Sequence, residues 1–222
     1  MQSKYAIALA GVTAVGLIGS AHAAPIPWTT PDGDTGNFSY SGGQSDNGLF
    51  GDPIATDDGL IFTPVGFIAS ATDGGAEVTS DRLQVKITAP EGQDIEEITV
   101  TELGDYAING TGSVFASGAL FAVGEGLPLA GLADALDVDP AMPVLGTGSG
   151  LYSGTATLVF PEGISMVTLV FNNILQAEAG PGSSAFIQKK TAGFDIDIVI
   201  PEPATLGLVG LAGLPLMRRR RA

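Results

Sequence analysis

Strict two-residue alternation of apolar and polar positions recurs along the chain, and it predicts strands. Leu83, Val85 and Ile87 fall on one side of an extended segment, with Arg82, Gln84, Lys86 and Thr88 on the other. Phe194, Ile196, Ile198 and Ile200 alternate with Asp195 and Asp197, and Tyr152, Ala156, Leu158 and Phe160 stand opposite Ser153, Thr155 and Thr157. Residues 95–103 are rich in Ile, Val and Thr, with Ile98 and Val100 on one face. Residues 114–123, 166–171 and 185–188 are further candidates, and 37–40, 60–63 and 67–71 read as shorter strands. Turn signals such as Thr72-Asp73-Gly74-Gly75, Ala89-Pro90-Glu91-Gly92 and Gly180-Pro181-Gly182 separate them. About eight to ten short strands with this punctuation predict an all-β domain, a two-sheet antiparallel β-sandwich of jelly-roll-like form. One segment departs from the pattern. Leu129, Leu132, Ala133 and Leu136 have helical spacing, so a short helical insert is expected over 127–142, bounded by Pro128 and Pro140.

The two ends follow other rules. Lys4 precedes an apolar stretch over residues 5–18, and Ala21-His22-Ala23 supplies small residues where a signal peptidase cuts. Residues 1–23 are therefore expected to be a signal peptide, cleaved after Ala23. Residues 201–222 read Pro201-Glu202-Pro203, a run of fourteen apolar or small residues over 204–217, then Arg218, Arg219, Arg220 and Arg221. As a helix that run would rise about 21 Å at 1.5 Å per residue, short of a bilayer core of about 30 Å. The arginines hold its end on the cytoplasmic side. Pro201 and Pro203 keep the chain extended before the membrane, within reach of an enzyme. The reading divides the chain into a leader (1–23), a β-sandwich body (24–200) and a tail with a separate transmembrane-like helix (201–222).

The tripeptide Pro201-Glu202-Pro203, the short apolar helix and the arginine run together resemble the PEP-CTERM sorting domain. The Gram-positive sortase signal shares the helix and basic end but needs Leu-Pro-x-Thr-Gly before the helix, whereas Leu214-Pro215-Leu216 lies inside it with no Thr-Gly following. The resemblance implies processing by an exosortase, an integral-membrane cysteine protease, after signal peptidase has removed the leader. It implies a precursor held transiently in the inner membrane by its C-terminal helix. The destination is then the cell surface or extracellular matrix of a Gram-negative-type bacterium that makes exopolysaccharide and biofilm, with exopolysaccharide as a partner.

Composition narrows what the body does. The net charge is −15, and of nine basic residues only Arg82, Lys86, Lys189 and Lys190 lie outside the two ends. An acidic body repels phosphates, which argues against nucleic-acid partners. There is no cysteine, and His22 falls within the expected leader, so the mature body would lack Ser-His-Asp and Cys-His triads and the usual Zn, Cu and Fe ligands. No cofactor is expected apart from a speculative Ca²⁺.

Three candidate sites remain. Asp32, Asp34 and Asp52 lie in acidic turns, with Asp57 and Asp58 nearby, and could offer oxygens to Ca²⁺, although the twelve-residue calcium loop is absent. Glu96, Glu97 and Glu102 could supply a glycosidase carboxylate pair, with Glu96 and Glu102 on one face, against the plainer reading of a polar strand face. Trp28, the sole tryptophan, could stack on a sugar or clamp the first strand, and Tyr40, Tyr106 and Tyr152 are the other aromatic candidates. The sequence thus predicts a non-enzymatic structural or adhesive surface protein. A carbohydrate-binding module, with or without Ca²⁺, is the alternative, and a carboxylate-based glycoside hydrolase the remaining one.

Overall fold

The computed structural model describes residues 24–201. Ala21, Ala23, Glu202, Pro203, the four C-terminal arginines and the predicted C-terminal helix lie outside the described residues.

The chain passes through β1 (Ile26–Pro27), β2 (Gly33–Asp34), β3 (Ser39–Ser45), β4 (Pro53–Ala55), β5 (Gly59–Phe62), β6 (Ile68–Thr72), β7 (Ala76–Thr88) and β8 (Glu97–Asn109). It continues through β9 (Gly112–Val123), β10 (Leu132–Ala135), β11 (Asp137–Asp139), β12 (Val144–Leu145), β13 (Gly148–Val159), β14 (Met166–Ala179) and β15 (Ser184–Val199). One sheet has the order β1-β3-β7-β14-β9-β10, with β2 on β3 and β12 on β9. The other runs β11-β13-β8-β15-β5-β4, with β6 also on β15. Every pairing is antiparallel. The all-β, two-sheet expectation holds among the described residues. The six long strands alternate between the sheets along the chain, so each connection from one long strand to the next passes from one sheet to the other.

Alternation fixes which side of each strand faces in. Leu83, Val85 and Ile87 of β7 are buried, as are Val167, Leu169, Phe171, Leu175 and Ala177 of β14. From the opposite sheet come Ile98 and Val100 of β8, Ala156 and Leu158 of β13, and Phe194, Ile196 and Ile198 of β15. A phenyl cluster fills the centre. Phe171 and Phe194 stack across the sandwich with ring centroids 5.2 Å apart, and Phe50 meets Phe194 at 4.8 Å. Burying each such ring fully stabilises the fold by about 1.5–3 kcal/mol.

The helical insert predicted over 127–142 is replaced by two edge strands. β10 pairs with β9 in one sheet, and β11 pairs with β13 in the other. Leu136 makes the crossing between them, buried, its amide donating to the Gly118 carbonyl at 2.9 Å. The open edges of β9 and β13 offer backbone partners that a helix would leave unused. Gly131, at φ 73°, turns the chain into β10. Leu129, which a helical stripe would have buried, is fully exposed.

Trp28 is a core residue. Its ring packs edge-on against Phe62 at 5.3 Å and near Tyr40 at 6.2 Å. It lies directly over Gly43, where a Cβ would stand 1.9 Å from the ring. Gly43→Ala should therefore expel the indole at a cost of roughly 1–3 kcal/mol, typical of overpacking. Tryptophan emission, reporting Trp28 alone, should be blue-shifted in the native protein and red-shifted in the variant; an unshifted spectrum with unchanged stability would contradict this packing.

Candidate functional site

Three polar side chains occupy inward-facing positions in the middle of the sandwich. Glu102 continues the inward face of Ile98 and Val100 on β8, and Asn173 sits between inward Phe171 and Leu175 on β14. Lys189 follows inward Ala185 and Ile187 on β15. Glu102 and Lys189 come from adjacent strands of one sheet, while Asn173 reaches across from the central strand of the other. The Asn173 Nδ2 donates to Glu102 Oε2 at 2.7 Å, and the Lys189 Nζ donates to the same oxygen. Both charged side chains are wholly buried.

Local sequence makes the room. Glu102 is paired across the ladder with Gly154, whose missing Cβ would meet Glu102 Cγ at 3.0 Å and Leu136 Cγ at 2.9 Å. Gly104, the next inward position on β8, is overlain by the Tyr152 ring, 2.0 Å from where its Cβ would be. The β15 register shifts between Lys189 and Phe194. Inward positions are odd-numbered before this bulge and even-numbered after it, so both Lys189 and Phe194 face the core. Three rings close round the ammonium, with Nζ 5.1 Å from the Phe67 centroid, 5.4 Å from Phe194 and 5.9 Å from Phe50.

Taking two charges from water costs several kcal/mol each, and mutual attraction offsets this only where the remaining lone pairs are met. Here they are not: Glu102 Oε1, Asn173 Oδ1 and the Tyr152 hydroxyl are buried without a hydrogen-bond partner. Burial pushes the Lys189 ammonium below the ordinary lysine range, and the Glu102 charge and hydrogen bond only partly restore it. The Tyr152 phenol is pushed up, first by burial and then by the charges of Glu102 and Asp105. It therefore stays protonated. The ensemble is a poised amine, a carboxamide and a carboxylate in a water-poor cage of phenyl rings.

The positions expected from sequence are arranged differently. Asp32 Oδ1 accepts from the Gly42 amide at 2.9 Å, and Asp34 Oδ1 from the Gly36 amide at 2.7 Å. Asp52 accepts from the Thr29 amide at 2.8 Å and from the Thr29 hydroxyl. Asp34 thus closes its own turn, whereas Asp32 and Asp52 tie together segments 10 and 23 residues apart. Among the described residues no group of three or more His, Cys, Asp or Glu is placed to hold a metal ion. Glu96 precedes β8 and is exposed, while Glu97 is half-buried and Glu102 lies in the core. Glu96 and Glu102 therefore do not share a face across a groove, because Glu96 falls beyond the strand's regular pleat. Trp28, Tyr40 and Tyr152 are buried and Tyr106 is half-buried against the core, so Trp28 does not present a flat face to a sugar. Asn173 and Lys189 were not singled out by the sequence; the available signal was a polar residue at an inward position of an otherwise apolar alternation.

No family model matches the chain, and no curated protein matches it. Among solved structures, TmCBM61 in complex with β-1,4-galactotriose aligns at 10% identity and a TM-score of 0.23, covering 80% of this chain and all of that one. The enzymatically active domain of bacteriophage CBA120 tailspike protein 4 aligns at 13% identity and a TM-score of 0.21. That alignment covers 75% of this chain and 20% of the other. Likenesses this remote carry nothing about function.

Two outcomes follow from the electrostatics. Lys189→Met leaves a buried carboxylate without its cation, so the double variant Lys189→Met/Glu102→Met should be more stable than the single by about 3 kcal/mol, measured by urea unfolding. Equal stabilities would contradict a buried, charged Glu102 in the single variant. Asp195 is the second case: its carboxyl is pushed up by partial burial and then by the neighbouring Asp197 charge. A folded value above the unfolded one means that the native state binds more protons in that window, so stability falls as pH rises through it. Asp195→Asn should modestly raise the thermal midpoint at pH 7, and the gain should vanish below pH ~3, where both states are protonated.

Proposed function

We propose that the chain is an exported surface or extracellular-matrix protein whose body is a non-catalytic structural or adhesive sandwich. The carrying observation is the order of signals along the sequence: Lys4, an apolar stretch and Ala21-His22-Ala23 come first, and Pro201-Glu202-Pro203, an apolar run and Arg218 to Arg221 come last. The described β-sandwich lies between them. The tail's resemblance to the PEP-CTERM signal supplies the exosortase, the transient inner-membrane precursor and the exopolysaccharide setting. The long strands crossing back and forth between sheets suit a jelly-roll-like body, and its acidic surface suits solubility outside the cell.

The alternative, carbohydrate binding, has no exposed tryptophan, tyrosine or phenylalanine to use among the described residues. It would have to rest on half-buried outer rings such as Phe115, Phe121 or Phe186, and glycan-array binding with and without chelator separates it from the structural reading.

Mass spectrometry of the surface protein from its native host should find a new N-terminus at Ala24 and no arginine-rich tail. Intact termini in the surface-located protein would sink the sorting account. Replacing Pro201-Glu202-Pro203 with alanines should leave tail-bearing protein in the cytoplasmic membrane.

A further inference from the structure

We propose that Lys189 and Asn173 join through a self-catalysed amide bond between Nζ and Cγ, with Glu102 moving the protons and one ammonia leaving. The inference rests on the core and not on the export reading.

Three groups of the needed kinds converge. Lys189 Nζ is the nucleophile, the Asn173 carboxamide the electrophile, and Glu102 Oε2 contacts both nitrogens at once. They come from three strands, each paired on both sides in its sheet, so they cannot drift apart without breaking a ladder. Holding reactants in such a geometry converts an unfavourable encounter into a unimolecular step. Amines do not ordinarily attack carboxamides in water, because the amine is protonated and the amide poorly electrophilic. Both obstacles are lowered here. Desolvation favours the neutral amine, and the ion pair can collapse by one proton transfer to Glu102. A protonated Glu102 has a donor, in a site where Glu102 Oε1 and Asn173 Oδ1 are both acceptors without a partner. That donor can polarise the carboxamide.

The steps balance without a co-reactant. The Lys189 ammonium passes a proton to Glu102, and the freed Nζ lone pair forms a bond to Asn173 Cγ, sending the carbonyl electrons to Oδ1. Glu102 gives its proton to Nδ2 and takes one from Nζ. The carbonyl re-forms, the Cγ–Nδ2 bond breaks with its electrons on nitrogen, and Nδ2 departs as ammonia. Nothing is oxidised or reduced. Glu102 touches the reacting atoms and is the catalytic residue. The product replaces a buried ammonium and carboxylate with a neutral amide and a neutral acid, removing the desolvation cost of the pair. It also bonds the central strand β14 of one sheet covalently to β15 of the other, a cross-link that shortens the free chain of the unfolded state.

The test uses the full chain, digested with a protease that cuts after glutamate, since cuts after Glu162 and Glu178 place the two residues in separate peptides, while the Glu202–Pro203 bond resists cleavage. The expected result is a linked pair, 163–178 with the peptide that begins at residue 179, lighter than the sum of its parts by about 17 Da, one ammonia. Fragmentation should place the link at Asn173 and Lys189. Loss of ammonia elsewhere, by cyclisation of a terminal glutamine or at another asparagine, gives no linked pair. Separate peptides of full mass from folded wild-type protein would overturn the proposal and leave an ion pair only. A link between Lys189 and Glu102, formed with loss of water, would overturn it as well. Glu102→Gln and Asn173→Ala should each give unlinked peptides; because either could impair folding, the wild-type result decides alone.

Discussion

An ionised carboxylate placed midway between two apolar sheets must be met by donors on every side, or the sheets part to let water in. Glu102 sits in that position, with one oxygen shared by the Lys189 amine and the Asn173 amide. Its other oxygen is unpartnered, and this incomplete satisfaction sets the character of the interior. Burial lowers the Lys189 ammonium below the ordinary lysine range, the Glu102 charge and hydrogen bond partly restore it, and burial together with the Glu102 charge keeps the Tyr152 phenol protonated.

Much of the surrounding architecture can be understood as accommodation of that carboxylate. Gly104 and Gly154 give up side chains so that Tyr152, Leu136 and the Glu102 stem can share one layer. The bulge in β15 shifts the inward parity so that an amine and a phenyl ring both point to the core from one strand. Phe50, Phe67 and Phe194 then face Lys189 with the negative faces of their rings, offering some attraction while excluding water. The crossing at Leu136 closes the same region from the sheet edge.

How far the sequence revealed this depended on the length of each pattern. Alternation over β7, β8, β13 and β15 was long enough to assign faces, and the buried positions follow it closely. Over 127–142 the strands are only four and three residues long, and chance helical spacing of leucines outweighed a pairing preference that only neighbouring strands could reveal. The site was half visible. Ile98 and Val100 already placed Glu102 on the apolar face, yet one acidic residue in a Glu-rich stretch resembles a solvated strand edge. Its partners lie 71 and 87 residues away, beyond any local pattern. The acidic turns at Asp32, Asp34 and Asp52 had the composition of an ion site, but each carboxylate is occupied by nearby backbone amides, a use that composition does not distinguish.

The central claim is that Glu102, Lys189 and Asn173 meet in one water-poor place between the sheets. A crystal structure of the β-sandwich body at near-atomic resolution tests it most directly. The account predicts the Glu102 carboxylate lodged beside the Lys189 and Asn173 side chains inside the Phe50, Phe67 and Phe194 rings, with continuous density between Nζ and Cγ. A hydrated Glu102, with the Lys189 side chain extended to solvent and Asn173 apart from both, would contradict it.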